Sequence, residues 1–271
     1  KKEKDKLIIT NSQDFNVIQT LNCGQIFRFV IDGDTAVVYS KDKYAKLLWN
    51  SNTIQILTED VDYFYKFFDL DRDYAQIKDV LRKDEFLKSA GSGIRIINND
   101  AYEIIISFII SANNNIKRIK NSIEYLCSHY GKNMGMYYAF PTLEELKKVS
   151  IQDYRNAGIG YRAEQMFDTV QTLTDEDIES LKKKNKDEQF KFLLSLKGVG
   201  EKVANCIMLF GLGVKDVFPV DTWINKVYNN LTNTNTTDRK KITKELTDRY
   251  KDLSGFAQQY FFYYYRDNNL K

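Results

Sequence analysis

The apolar positions of this chain change their period once. From Leu7 to Leu57 they fall in short or alternating runs: Leu7-Ile8-Ile9, Ile26-Phe27-Arg28-Phe29-Val30-Ile31, Ala36-Val37-Val38-Tyr39 and Thr53-Ile54-Gln55-Ile56-Leu57. Runs of this kind predict strands. Asp32-Gly33-Asp34 lies between two of them and reads as a hairpin turn, which makes the sheet antiparallel. From about Asp60 onward the period becomes helical. Ile116, Ile119, Ile123, Leu126 and Cys127 share one helix face, and Ile242, Leu246 and Tyr250 recur every fourth position. Asn113-Asn114-Asn115, Pro141-Thr142, Gly158-Ile159-Gly160 and Gly211-Leu212-Gly213 punctuate these helices as caps and turns. The aromatic stretch from Phe256 to Tyr265 predicts a last helix packed on the core. The expected class is α+β, with a small antiparallel β-sheet domain and trailing helices over residues 1–98 and a helical domain over 99–271.

Composition narrows the class without naming a function. A chain of 271 residues can bury one large core or two modest ones, and 43% hydrophobic with 28% charged residues is the balance of a soluble globular protein. The longest apolar run, Ile104 to Ile110, is far too short to span a membrane. Lys1-Lys2-Glu3-Lys4-Asp5-Lys6 is followed by no apolar stretch of the signal-peptide kind, so a cytoplasmic protein is expected. A net charge of +3 is a faint hint of a polyanionic partner, and Lys182-Lys183-Lys184 and Arg239-Lys240-Lys241 read first as solvated helix faces. Cys23, Cys127 and Cys206 are widely spaced and odd in number, which suits a reducing compartment. They are too few for a four-thiolate iron–sulfur or zinc site, so neither a metal nor a cofactor is expected. The single histidine, His129, reads as a partner for the C-terminal dipole of its helix.

The most informative segment is Leu193-Leu194-Ser195-Leu196-Lys197-Gly198-Val199-Gly200-Glu201-Lys202-Val203-Ala204-Asn205-Cys206, followed by Val217-Phe218-Pro219-Val220-Asp221. It reads as a helix, a tight Gly-X-Gly hairpin and a second helix, spanning about 189–212. Glycines permit the tight turn and the close approach of another backbone, and the helix N-terminus offers unpaired N–H groups to a phosphate. A lysine in that helix's first turn and an aspartate 19 residues later place an amine and a carboxylate beside the grip. A Gly-X-Gly pair alone opens many ordinary helices; the later Pro-Val-Asp is what raises it above them.

With these residues the chain resembles the helix-hairpin-helix DNA glycosylase superfamily, and Lys202 places it with the bifunctional glycosylase/lyases. The absence of four cluster cysteines sets it apart from the endonuclease III branch. Four further segments are similar to the 8-oxoguanine DNA glycosylase family: Gly24-Gln25-Ile26-Phe27-Arg28, Asn113-Asn114-Asn115-Ile116-Lys117-Arg118, Gly158-Ile159-Gly160-Tyr161-Arg162-Ala163, and Ala257-Gln258 with Phe262. The resemblance therefore runs from Gly24 to Phe262. It departs at Trp223, where eukaryotic members generally carry histidine.

The resemblance implies a set of roles that the chemistry makes intelligible. Oxidation at C8 turns guanine N7 from an acceptor into an N–H donor, so a closely placed backbone carbonyl attracts the lesion and repels the normal base; that role falls to Gly24. A flipped-out base needs both faces and its Watson–Crick edge covered. Phe262 and Cys206 are implied for the faces, Gln258 for the edge and Pro219 for the pocket wall. Arg118, Arg162 and Asn113 would hold the widowed cytosine and Tyr161 would fill the gap in the stack. Taken alone, each arginine reads as a surface ion pair. Gly198, Gly200 and Val203 would grip a DNA phosphate. Lys202 is implied as the nucleophile at sugar C1′, and Asp221 as the carboxylate that stabilises the developing positive charge. An aspartate before Thr222-Trp223-Ile224 is also a good helix N-cap. The expected activity is excision of 8-oxoguanine, opposite cytosine, from double-stranded DNA by a monomer, followed by β-elimination. A glycosylase for another damaged purine and a non-catalytic DNA-binding hairpin protein are the alternatives.

Overall fold

Between Lys6 and Leu57 the chain forms five strands, β1 (Lys6–Thr10), β2 (Phe29–Asp32), β3 (Thr35–Ser40), β4 (Lys43–Trp49) and β5 (Thr53–Leu57), in the computed structural model, which describes residues 1–88 and 93–267. They build one antiparallel sheet in the order β1-β5-β4-β3-β2. Leu7 and Leu47 both pair with Ile56, and Val38 pairs with Ala45, so one face carries a continuous apolar row. That face is closed by α2 (Val61–Phe67), whose Phe64 and Phe67 are fully buried.

Two elements in this region differ from the sequence reading. β4 was not anticipated; its Ala45 and Leu47 are buried while Lys46 between them is exposed, a short alternation easily lost beside flanking Lys and Tyr. Val17–Asn22 is a helix, α1, capped by the Asn16 side chain accepting from Gln19 N–H at 2.9 Å. The run Ile26 to Ile31 becomes strand only from Phe29. The preceding Gly24–Arg28 stretch is irregular, with Gly24 at φ +76°.

The helices that follow are α3 (Tyr74–Leu81), α4 (Ala101–Ser111), α5 (Ile116–Tyr130), α6 (Leu143–Leu146), α7 (Ile151–Asn156), α8 (Ala163–Thr172), α9 (Asp175–Lys183), α10 (Lys186–Ser195), α11 (Glu201–Gly211), α12 (Thr222–Thr232), α13 (Arg239–Tyr250) and α14 (Ser254–Asp267). α4 is apolar almost all round and packs against α5, α8 and α11, as a central core helix must. The expected caps are present: Asn115 starts α5, and Thr142 starts α6 with a reciprocal capping box to Glu145. His129 lies in the last turn of α5, its Nδ1 2.9 Å from the Tyr125 carbonyl and its ring stacked on Tyr125.

Two apolar cores form, one under the sheet and one among the helices. They do not divide at a single residue. Cys23, Phe27, Tyr74, Ile77 and Leu81 belong to the helical core although they lie within the first 98 residues. Buried polar groups join the two. Gln25 Nε2 donates to the carbonyls of Thr20 at 2.9 Å and Arg95 at 2.7 Å, and its Oε1 accepts from Ile97 N–H at 2.7 Å. Arg28 donates to the carbonyls of Tyr138 at 2.6 Å and Lys41 at 3.2 Å, and lies 3.7 Å from the Glu103 carboxylate on α4. Burial pushes the Glu103 carboxyl upward, against the pull of Arg28. The Lys215 ammonium donates to Asn98 Oδ1 at 2.8 Å, and burial lowers its pKa to about 8. All three cysteines are buried thiols without a disulfide; burial pushes Cys23 and Cys127 up to about 12 and also raises Cys206. Among the described residues no helix is long and apolar enough to cross a membrane, and no cluster of His, Cys, Asp and Glu could hold a metal.

Candidate active site

The hairpin sets the geometry of everything around it. α10 ends where Leu196 N–H bonds the Leu193 carbonyl at 3.1 Å, and Val199 N–H then bonds the Leu196 carbonyl at 3.2 Å to close the turn. Gly198 sits at φ +82°, and a Cβ there would lie 3.3 Å from Ile109 Cγ2 and from Gln165 Oε1. Gly200 is the N-cap of α11, brings no capping side chain, and has open space where its Cβ would be. The first helical bond runs from Ala204 N–H to the Gly200 carbonyl at 2.9 Å, leaving the N–H groups of Glu201, Lys202 and Val203 ahead of it. Val203 buries its side chain, so it presents only backbone to the outside.

The first turn of α11 faces a cavity of about 140 Å³ lined by Gly24, Phe27, Phe108, Asn114, Lys202, Cys206, Phe210, Asp221, Gln258, Gln259 and Phe262, among others. Lys202 is partly buried, its Nζ 5.5 Å from the centre of the Phe108 ring. Cys206 follows one turn later and is 4% exposed; burial raises its thiol while the lysine charge pulls the other way. Asp221 accepts from Ile224 N–H at 2.8 Å and so caps α12 while lining the cavity. Pro219, two residues earlier, is buried and is not among the lining residues.

α14 supplies the opposite wall. Tyr260 and Phe261 point into the helical core, and half-buried Phe262 is the aromatic ring at the cavity. A Cβ on Gly24 would meet Phe262 at 3.5 Å, an ordinary contact, so the demand for glycine comes from its positive φ. Gln258 and Gln259 are 6% and 2% exposed, and Gln259 Nε2 donates to Gln258 Oε1 at 2.7 Å. Gln259 Oε1 is buried without a partner, an arrangement that costs about 1–3 kcal/mol.

The remaining expected residues lie outside this cavity. Asn113 is exposed at φ +49°, and Arg118 is exposed on the first turn of α5. Tyr161 is 69% exposed, while Arg162 is buried, its guanidinium 4.4 Å from the Tyr161 ring centre and bonded to its hydroxyl at 2.6 Å. The triple asparagine divides its work: Asn114 donates to the Ile110 carbonyl at 3.2 Å and lines the cavity, and Asn115 caps α5. Trp223 has a buried indole N–H without a partner and Lys226 above its ring at 5.5 Å. The sequence did not single out Phe27, Phe108, Phe210, Asn114 or Gln259 as cavity residues. The three phenylalanines sit in apolar runs that look like any core, and no local signal marks the two amides. An amine and a carboxylate in a cavity with aromatic walls, at a helix N-terminus, can attack an electrophilic carbon and stabilise positive charge on it.

Residues 106–252 match the family of HhH-GPD superfamily base excision DNA repair proteins, and residues 7–105 match the N-terminal domain family of 8-oxoguanine DNA glycosylase. The chain is 36% identical to an 8-oxoguanine glycosylase/lyase of Clostridium acetobutylicum, solved with double-stranded DNA containing cytosine opposite 8-oxoguanine. That likeness covers 100% of this chain and 98% of that one with a TM-score of 0.93. It is 29% identical over 256 residues to an N-glycosylase/DNA lyase of Saccharomyces cerevisiae, covering 80% of this chain and 68% of the relative. It is 33% identical over 187 residues to the N-glycosylase/DNA lyase OGG1 of Arabidopsis thaliana, covering 63% of this chain and about half, 51%, of that longer protein.

Proposed function

The chain belongs to the HhH-GPD superfamily of base excision DNA repair proteins, and from that membership we propose that it is an 8-oxoguanine DNA N-glycosylase with lyase activity at the abasic site. The observation that carries this reading is the convergence of Gly24, Lys202, Cys206, Asp221, Gln258 and Phe262, from four distant segments, on one cavity. The substrate is duplex DNA, gripped through a phosphate at the open N-terminus of α11 and entered by flipping the damaged nucleotide.

Lys202 supplies the nucleophile. Its neutral amine forms a bond to sugar C1′ as the bond from C1′ to the base nitrogen breaks and its electron pair leaves with the base. Loss of a proton from the amine and opening of the sugar ring give a Schiff base, and removal of a C2′ proton then expels the 3′ phosphate by β-elimination. Asp221 faces the positive charge that develops at C1′. Gly24 offers its carbonyl to N7–H, Phe262 and Cys206 cover the base, and Gln258 reads its edge. Arg162, Arg118 and Asn113 hold the opposite cytosine through its two acceptors and one amino group, with Tyr161 as the wedge. On this reading the enzyme needs no cofactor and acts as a monomer in a reducing cytoplasm.

Borohydride trapping on a duplex with 8-oxoguanine opposite cytosine tests the proposal. The wild type should release the base and form a stable covalent adduct; Lys202→Gln should bind the duplex and do neither. An adduct of Lys202→Gln at wild-type yield would assign the nucleophile elsewhere. Release of a different damaged purine, with 8-oxoguanine left in place, would move the substrate, and binding without any release would make the protein a non-catalytic reader.

A further inference from the structure

The peptide between Gly24 and Gln25 carries the Gly24 carbonyl, which accepts no hydrogen bond among the described residues. Glycine at φ +76° sets no side chain against rotation of this peptide, so its plane depends on how the residue after it is held. The Gln25 side chain is fully buried and tied at three points. Nε2 donates to the Thr20 carbonyl at 2.9 Å and the Arg95 carbonyl at 2.7 Å, and Oε1 accepts from Ile97 N–H at 2.7 Å. All three partners are backbone groups whose donor or acceptor character is fixed, so the amide has one orientation. Turned over, its oxygen would meet two carbonyls and its NH2 an N–H.

The same residue is held at its backbone. Gln25 Nε2 also lies 3.2 Å from Cys23 Sγ, and both this amide and the Gln25 backbone N–H act on that thiol, pulling against the burial that raises it to about 12. In a trans peptide the N–H and the preceding C=O point opposite ways, so with the Gln25 N–H toward the sulfur the Gly24 carbonyl is turned away from it. Turning this one peptide over would exchange the two groups and present an N–H where the carbonyl stands. A carbonyl suits the N7–H of 8-oxoguanine and opposes the N7 lone pair of guanine; an N–H does the reverse. A contact of this kind tells lesion from normal base only while the plane is held.

We propose that Gln25 is a positioning residue that holds the peptide between Gly24 and itself with the carbonyl toward the flipped base, the Cys23 sulfur receiving the N–H on the far side, and that it thereby selects purines that carry hydrogen at N7. This rests on the function proposed above and adds to it the residue that fixes the sign of the lesion-reading contact.

The test compares single-turnover release of 8-oxoguanine and of 8-bromoguanine, which fills the C8 position but keeps N7 as an acceptor, each opposite cytosine. Rates for wild type, Gln25→Leu, Cys23→Ala and Cys23→Ser are normalised to the enzyme trapped by borohydride on a preformed abasic duplex, which has no base to read and counts folded, lysine-competent protein. The intrinsic difference between the two leaving bases cancels when ratios are compared between variants. Gln25→Leu keeps the bulk but loses all three tethers, and should lower the ratio of 8-oxoguanine to 8-bromoguanine release by about tenfold or more. That variant strands three buried backbone groups, so if it does not fold the thiol decides. Cys23→Ala removes the acceptor and should lower the ratio about threefold or more, and Cys23→Ser, whose hydroxyl accepts in its place, should restore it. A role in packing alone predicts equal losses on both bases. That result in Gln25→Leu, or an unchanged ratio in Cys23→Ala, overturns the inference. If the wild type releases no 8-oxoguanine, it is the proposed function that falls; a wild type that releases both bases equally does not read N7, which overturns the inference and leaves the glycosylase activity standing.

Discussion

Asp221 carries two tasks that two substitutions separate. Its carboxylate caps α12 through Ile224 N–H and also faces the cavity that holds Lys202. Asparagine caps a helix about as well as aspartate but carries no charge. Asp221→Asn should therefore keep its urea midpoint while single-turnover base release falls about 10²-fold or more, the scale of one lost electrostatic contact in a transition state. Asp221→Ala should lose the same rate and, in addition, about 1 kcal/mol of stability. Unchanged release by the asparagine variant would leave Asp221 as a cap only. Local syntax marked Lys202, by its distance from the glycines, and Asp221, by Pro219-Val220, whereas Gly24 was marked only by the resemblance of Gly24-Gln25-Ile26-Phe27-Arg28 to a family motif. Gln259 was not legible beside Gln258. One step along a helix turns a side chain by about 100°, and which of two adjacent amides meets a cavity is decided by how α14 packs against distant helices. The resemblance marked Phe262, but the adjacent Tyr260 and Phe261 left its register to be fixed by burial, which places those two in the core.

At the scale of elements the hairpin shows how two like residues serve unlike purposes. Gly198 is needed by the fold, since its backbone is left-handed and Ile109 and Gln165 crowd the place of a Cβ. Gly200 is not; its φ is −95° and its surroundings are open. Gly198→Ala should cost about 1 kcal/mol or more of stability, measured by denaturant unfolding. Gly200→Ala should unfold like the wild type yet bind lesion and undamaged duplex more weakly by a similar factor, because on the proposed reading the added methyl would stand in the path of a phosphate. Equal stability losses in the two variants would contradict this division. α5 and α13 were legible because their apolar stripes repeat over several turns, and the helical class of the second part of the chain followed from them. β4 and α1 were not. Each is short, and each lies in a stretch whose neighbours set a strong strand pattern, so local periodicity had too few positions to stand out.

Across the whole molecule, the motif Gly24-Gln25-Ile26-Phe27-Arg28 spends most of its side chains on joining two cores. Gln25 binds backbone on both sides of it, Arg28 reaches the 138 and 41 carbonyls and Glu103, and only Gly24 and Phe27 touch the cavity. Lys215 strengthens the same junction through Asn98, at a pH-dependent cost. Its folded-state pKa of about 8 lies below the unfolded value. Between the two the unfolded chain holds more protons, so the contribution of Lys215 to stability rises with pH above about 8 and is flat below it. Against Lys215→Met, the wild type should therefore gain up to about 1.4 kcal/mol per pH unit between about pH 8 and 10, read from urea unfolding at each pH. A constant difference would mean that the amine keeps an ordinary affinity for protons in the fold. The cysteines, Cys23 and Cys206 lining the cavity and Cys127 in α5, have a related consequence. The thiolate is the form that peroxides attack, and burial holds all three as thiols. The oxidants that create a damaged guanine should thus sulfenylate these thiols more slowly than an exposed cysteine. Thiol reagents should label Cys127 of the native protein only at the rate at which it opens, and all three cysteines at once in urea.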